Sequence, residues 1–430
     1  MWQSRWVFPI EIHLRPMNAV ILTLAAVSCG RPAASEGSGS SADLPSADLP
    51  SATTCGDGVL TAGVLCLEQL STAIPPWRLQ YGRFNDDDFV DLVFAAPDPM
   101  GHRINMWLGD GEFGFAAAAE HTIGIADAVA TKWFAVDLDA DERTDLVEVE
   151  VVEGGGRISA YINDGDLGFS APTTSDVVGA GEPWNSVMPF DASGDGQIAL
   201  LVEPYVGFGP LHIITNSGAG SFADSGVSAQ RGPCSYSTSA AIPAFGEFTG
   251  GVVFAPAPCG DVDTSSLTVV LSHAGGDLQS ALVASHGPNP ISAVVADLDG
   301  DGDLELLVWD LSLQTFGLFQ ANSLGVFQFE RTLTLIDLCE SCDLPTQGVG
   351  VKLSAGQFDG DPAMDLLISF AEHVHFGLNP LTDSPTWSKW GGLSAPVTGQ
   401  LVVDLNNDGA DDVVLESLTE QTTYILANRP

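Results

Sequence analysis

Basic side chains are scarce in this chain. Lys and Arg total 14 against 56 Asp and Glu over 430 residues, a formal net charge of −42. That balance excludes a nucleic-acid binder and an electrostatic reader of anionic membranes, because both need basic patches. Helical periodicity is scarce as well, and no apolar run reaches the roughly 20 residues that span a bilayer as a helix. The motifs G-x-S-x-G and H-E-x-x-H are absent, so neither a nucleophile elbow nor a helical zinc-protease site is read. The hydrophobic fraction of 45% is that of a folded protein. A chain of this length exceeds the roughly 250–300 residues at which a single core stops growing, which leaves several domains or a repeat architecture.

A repeat is present. The stretch ADLDGDGDLELLVWD (296–310) alternates acidic residues, turns through glycines and ends in an apolar run. Related stretches are VDLDADERTDLVEVE from Val136, VDLNNDGADDVVLES from Val403, GQFDGDPAMDLLISF from Gly356 and GRFNDDDFVDLVFAA from Gly82, with FDASGDGQIALLVEP from Phe190 and FGEFTGGVVFAP from Phe245 as weaker copies. The first loop positions are 83, 137, 191, 247, 297, 357 and 404, so the copies recur every 47–60 residues. Each loop sits between two extended stretches. A third alternating stretch follows and ends in a glycine turn, as in INMWLGDGEFGF or ISAYINDGDLGF, and a fourth leads to the next copy. Four short strands per copy, seven times over, predict an all-β, seven-bladed β-propeller over 55–430. The last copy, TTYILANRP, has one strand too few and the region before the first loop, GVLCLEQL, one too many. The N-terminal strand is therefore expected to close the ring and remove its free edges.

The loop pattern is D-x-[DN]-x-D-G-x-x-D. Oxygen ligands at positions 1, 3, 5 and 9, with a glycine turn at 6, suit a hard cation such as Ca²⁺, which takes six to eight oxygens at ~2.3–2.6 Å. Without a cation such carboxylates repel one another. An EF-hand or dockerin loop needs flanking helices, and an EF-hand also needs a Glu at position 12; neither fits strands and seven copies. Ranked by ligand count, the expected sites are Asp297, Asp299, Asp301 and Glu305; Asp404, Asn406, Asp408 and Asp412; and Asp137, Asp139, Asp141 and Asp145, where Glu142 replaces the glycine. Weaker are Asp359, Asp361 and Asp365, with Gln357 and Pro362 in the pattern, and Asn85, Asp87 and Asp91, with Arg83 and Asp88 in it. The 191–199 loop loses its last acid to Ala199, and the copy at 247 has no loop. Several structural calcium ions are expected, and solvated Asp/Gly turns are the alternative reading of each loop.

These residues resemble the FG-GAP/VCBS repeat family, known from integrin-type propellers and bacterial exported proteins, over about residues 60–430. The resemblance implies a seven-bladed propeller with calcium at its inter-strand loops; it does not fix a function. CGDGVLTAGVLC (55–66) looks like a degenerate Cys-bounded segment of some bacterial surface proteins.

The first 29 residues read as an export signal, with Arg5 and Arg15 before an apolar run from Ala19 to Val27 and a start at Met1 or Met17. Ala26–Cys29 resembles a bacterial lipobox, which implies lipidation at Cys29 and an outer-membrane or cell-surface lipoprotein; periplasmic or secreted export is the alternative. Residues 30–54, with a duplicated SADLP, read as a disordered Ser/Ala/Pro/Gly tether. The remaining cysteines, Cys55, Cys66, Cys234, Cys259, Cys339 and Cys342, are even in number and in an exported context, so disulfides between sequence neighbours are expected, although fifteen pairings exist. Cys339 and Cys342 also read as half a zinc site with no second half.

The leading functional expectation is a monomeric, non-enzymatic surface module that binds an unknown protein on its face or rim. A lectin is the alternative, with Trp77, Trp107, Trp133, Trp184, Trp309, Trp387 and Trp390 as stacking candidates that core packing explains equally. Enzymatic activity ranks last. His373 and His375 share one strand face and read as a surface strand rather than a zinc pair.

Overall fold

A computed structural model describes residues 65–72, 79–98, 101–123, 131–152, 155–178, 184–204, 210–229, 236–256, 266–338 and 351–429, less short loop segments within them. The export segment with Cys29, the tether, Trp77 and every cysteine except Cys66 lie outside these residues. The described part is all-β: seven four-stranded antiparallel sheets arranged as the blades of a ring, with one four-residue helix at Leu335–Leu338.

Six blades are built from consecutive strands, each paired to the next. The first strands, such as Thr131–Val136, Pro290–Ala296 and Lys352–Gly356, contact the first strands of neighbouring blades and so line the ring's axis. The seventh blade is closed as expected. Leu67–Thr72 pairs antiparallel with Thr422–Asn428, from Leu67↔Asn428 to Thr72↔Thr423, and supplies its outermost strand.

The apolar second strands explain where the core sits. In Asp365–Phe370 all six residues are buried. Strand side chains alternate between two faces, and here both faces are covered. Leu366 packs into the interface with blade 5, and the adjacent Leu367 into the interface with blade 7. Leu92 and Val93 divide in the same way between blades 7 and 2. The buried residues fall into seven clusters, each shared by two neighbouring blades. Removing one such side chain, as in Leu367→Ala, removes packing on an interface rather than within a blade, at about 2–5 kcal/mol.

The structure corrects one expectation about a strand. His373–Leu378 is an inner strand rather than a surface one: His375 is fully buried, its ring stacked 5.2 Å from Phe370. It is the third strand of its blade and is paired on both sides. His373 keeps partial exposure.

Candidate metal centres

The acidic loops all join a first strand to a second strand, so they gather at one end of the ring. In the 297–305 loop the backbone follows from its glycines. Gly300 and Gly302 have φ of 77° and 90°, the left-handed region that glycine enters without strain. That turn points two N–H groups at Asp297: Gly300 N donates to Oδ1 at 2.7 Å and Gly302 N to Oδ2 at 3.0 Å. Asp299 accepts from Asp301 N and Asp301 from Asp303 N. The same bonds recur around Asp137, where Ala140 and Glu142 hold φ of 62° and 71° despite their side chains. Around Asp404, Gly409 N donates to the first acid and Ala410 N to Asp408.

The carboxylate at position 9 has a role beyond the expected ligand. Asp91, Asp145, Glu305, Asp365 and Asp412 are all at most 2% exposed. Each accepts the backbone N–H of the residue at position 2, from Phe84, Leu138, Leu298, Phe358 and Leu405, at 2.8–2.9 Å. In four of these loops a second N–H comes from the end of the blade's third strand, from Gly109, Asn163, Asn379 or Asn428, and satisfies the other oxygen. Blade 5 differs. Ala321 N donates to the Leu304 carbonyl instead, and Glu305 Oε1 is buried with no hydrogen-bond partner. A buried unpaired carboxylate oxygen is costly unless something positive meets it.

Two loops gather three acids around one point. Carboxylate oxygens of Asp297, Asp299 and Glu305 lie within 4.8 Å of one another, and so do those of Asp137, Asp139 and Asp145. Two oxygens on opposite sides of a calcium ion, each at about 2.4 Å, are about 4.8 Å apart. The donor set is all hard oxygen, and Glu305 Oε1 and Asp139 Oδ1 are buried without a partner; both triads therefore fit Ca²⁺. Asp301 and Asp141 stand outside these triads, Asp141 being paired with Arg143.

The remaining loops are filled in other ways. Gln357 stands in for the first acid, taking Gly360 N on its Oε1 and donating to the Asp361 carbonyl, while Asn379 Nδ2 donates to Asp361 at 2.5 Å. Pro362 has no N–H and cannot enter the left-handed turn. Asn85 donates to Asp87 and Asn406 to Asp408. Asp191 and Asp195 are held by Gly196 N, Ser193 and Gln197 N, next to a buried Ala199. Among the described residues no acid triad forms in the loops at 83, 191, 357 or 404.

Burial dominates the electrostatics. It pushes the Glu305 carboxyl up to about 8 from 4.5, with Asp299, Asp301 and Asp297 adding to the rise. Burial also raises Asp412 to about 8, Asp145 and Asp365 to about 7 and Asp91 to about 6. Asp299 and Asp139 rise as well, by desolvation and then by their neighbouring carboxylates. A bound cation relieves both causes.

Sequence reasoning missed a belt that ties the loops together. Asn163 Nδ2 donates to the Phe84 carbonyl in the blade 1 loop, Asn216 Nδ2 to Leu138 in the blade 2 loop and Asn428 Nδ2 to Phe358 in the blade 6 loop. Backbone bonds run alongside: Thr144 N to Arg83 O, Met364 N to Asp297 O and Asp411 N to Gln357 O, each 2.7 Å. Arg143 adds a charge contact across to Asp86 at 3.6 Å. The signal was the Asn that ends the third strand in YINDGD, IITNSG and ILANRP.

No family model and no curated protein sequence matches the chain. Solved structures do resemble it. The BBS1N domain solved in complex with ARL6DN aligns with a TM-score of 0.51 at 13% identity, over 88% of this chain and 96% of that one. A lectin from Agrocybe aegerita that recognises non-reducing terminal N-acetylglucosamine aligns at 0.48 and 15% identity, over 83% and 87%. A functionally unknown protein from Desulfotomaculum acetoxidans aligns at 0.46 and 13%, over 76% and 89%. At these identities the likeness is one of fold: the chain is a seven-bladed β-propeller repeat protein.

Proposed function

We propose that this protein is a calcium-stabilised, non-enzymatic propeller of FG-GAP/VCBS type, exported and anchored at the cell surface through Cys29, that serves as a protein-interaction or adhesion module. The observation that carries the calcium reading is the buried, unpartnered Oε1 of Glu305, gathered with Asp297 and Asp299. Ions bound there and at Asp137, Asp139 and Asp145 hold the turn at the entry of a second strand. The loops account for the clustered carboxylates without acid–base catalysis. Cys66 of the expected Cys55–Cys66 pairing is buried, and Cys55 lies outside the described residues. Melting the mature protein in calcium and in EGTA tests the reading. A calcium-dependent rise of several degrees is expected, because ions that bind only the folded state stabilise it by mass action; identical melts refute it.

A carbohydrate-binding role is the second reading. Of its expected platforms, Trp133, Trp184 and Trp309 are core residues at 2–5% exposure. What favours it is Phe329, half exposed on an outer strand with its ring parallel to His286 at 5.8 Å. A glycan array run in calcium and in EGTA, with Phe329→Ala as control, decides between the two.

A further inference from the structure

Lys132, Lys352 and Lys389 are the only lysines of the chain. Two of them, Lys132 and Lys352, line one cavity. It is a space of about 700 Å³ at one end of the central channel, walled by the starts of the first strands of blades 1, 2, 5, 6 and 7. A second cavity, of about 710 Å³, continues from it and shares Ala293, Leu353, Ser354, Gln400 and Leu401. That end is formed by the later residues of the first strands and includes Asp297 of the strongest acidic loop. The lining is thus polarised, with Lys132 and Lys352 where the first strands begin and Asp297 where they end.

In a molecule of net charge −42, the lysine mouth is an exception. Among the described residues its lining holds one carboxylate, Glu416, whose Oε1 accepts Leu79 N at 3.0 Å. Lys352 acts on Glu416 electrostatically, and among the described residues the two form no ion pair within 4 Å. Gln400 is fixed by its bonds to Ser354 and Ser369. Ser292 accepts Leu353 N, and Leu79, Phe134, Ile291 and Val351 supply apolar wall.

We propose that this mouth binds a small organic carboxylate, with its charged group on Lys352 and its carbon body along the apolar wall. The apolar lining favours an organic acid over a bare inorganic anion, and the acidic far end fixes the orientation. Free acids and uronate ends of glycans share this chemistry.

The test is calorimetric titration of the calcium-saturated mature protein with succinate, with glucuronate, with inorganic phosphate and with the methyl ester of glucuronate. Expected is millimolar or tighter binding of succinate or glucuronate, none of the ester, and at least a tenfold loss in Lys352→Gln but not in Lys389→Gln. Binding of succinate identifies a free acid as the natural class, and binding of glucuronate alone identifies a uronate. The acid–ester comparison uses wild-type protein and stands if the variant does not fold. The proposal is overturned if neither carboxylate binds, if phosphate binds and they do not, if the ester binds as well as the acid, or if a folded Lys352→Gln binds like wild type.

Discussion

Replacing Glu305 by Gln should move stability in opposite directions with and without calcium. Gln keeps the shape and can still accept Leu298 N, the bond that Glu305 makes at 2.8 Å. It removes the charge that burial opposes. In the calcium-free protein the folded carboxyl holds its proton up to about pH 8, whereas the unfolded one loses it near 4.5. At pH 7 the folded state must therefore keep a proton that solvent would take, and at 1.36 kcal/mol per pH step from 4.5 this costs about 3 kcal/mol. The variant escapes that cost. In EGTA it should melt several degrees above wild type, at about 2–4 °C per kcal/mol for a domain of 150–250 residues and somewhat less for a larger one. In millimolar calcium the order should reverse, because the variant has lost a charged ligand from the triad. Scanning calorimetry of both proteins in both buffers measures the four melting points. A variant that melts below wild type in EGTA, or one that gains as much from calcium, would refute the assignment of Glu305 as a carboxylate held for a cation.

The pH dependence follows from the same groups. Raised carboxyls stabilise the calcium-free fold below their unfolded values near 4 and lose that contribution as pH rises through about 6 for Asp91, 7 for Asp145 and 8 for Glu305. The melting gain from calcium should therefore grow between pH 5 and pH 8, and a gain independent of pH would mean that protons and calcium do not compete there. Alanine at both Asp297 and Asp301 should remove more bound calcium, measured by stoichiometry, than alanine at both Asp191 and Asp195. Asn428→Ala leaves the buried Phe358 carbonyl unpaired and should cost about 1–3 kcal/mol in denaturant unfolding, whereas a loss below 0.5 kcal/mol would show that water replaces the amide.

The repeat was legible because both of its signals are local. An apolar run such as DLLISF after an acidic turn marks a strand buried on both faces, and the missing and surplus strands at the two ends implied the closing pair Leu67–Thr72 and Thr422–Asn428. The local geometry of the loops was legible only in part. The 404–412 loop ranked above the 137–145 loop because Glu142 replaces the turn glycine in the latter; Asp137, Asp139 and Asp145 nevertheless gather around one point, whereas position 3 of the 404–412 loop is Asn406, whose amide donates to Asp408. Pattern matching cannot see such a contact. The Asn belt escaped for a related reason: Asn163 and Phe84 lie 79 residues apart, and a side chain that reaches the neighbouring blade leaves no mark in its own copy. His375 was misread because alternation alone does not say whether a strand has neighbours on both sides.

Closure of the ring has a consequence for how the chain is made. The seam pairs residue 67 with residue 428, so Leu67–Thr72 has no partner until Thr422–Asn428 has been made. A loop this long is thermodynamically cheap to close, since each doubling of length adds only about 0.6 kcal/mol. Kinetically it comes late, because non-local pairings wait for everything between them. Until then Leu67–Thr72 and the outer edge of Thr422–Asn428 are both open to strands from other chains. Assembly of this propeller is a race between its own two ends and those of its neighbours, and the yield of folded protein should fall with concentration even where the finished ring is stable.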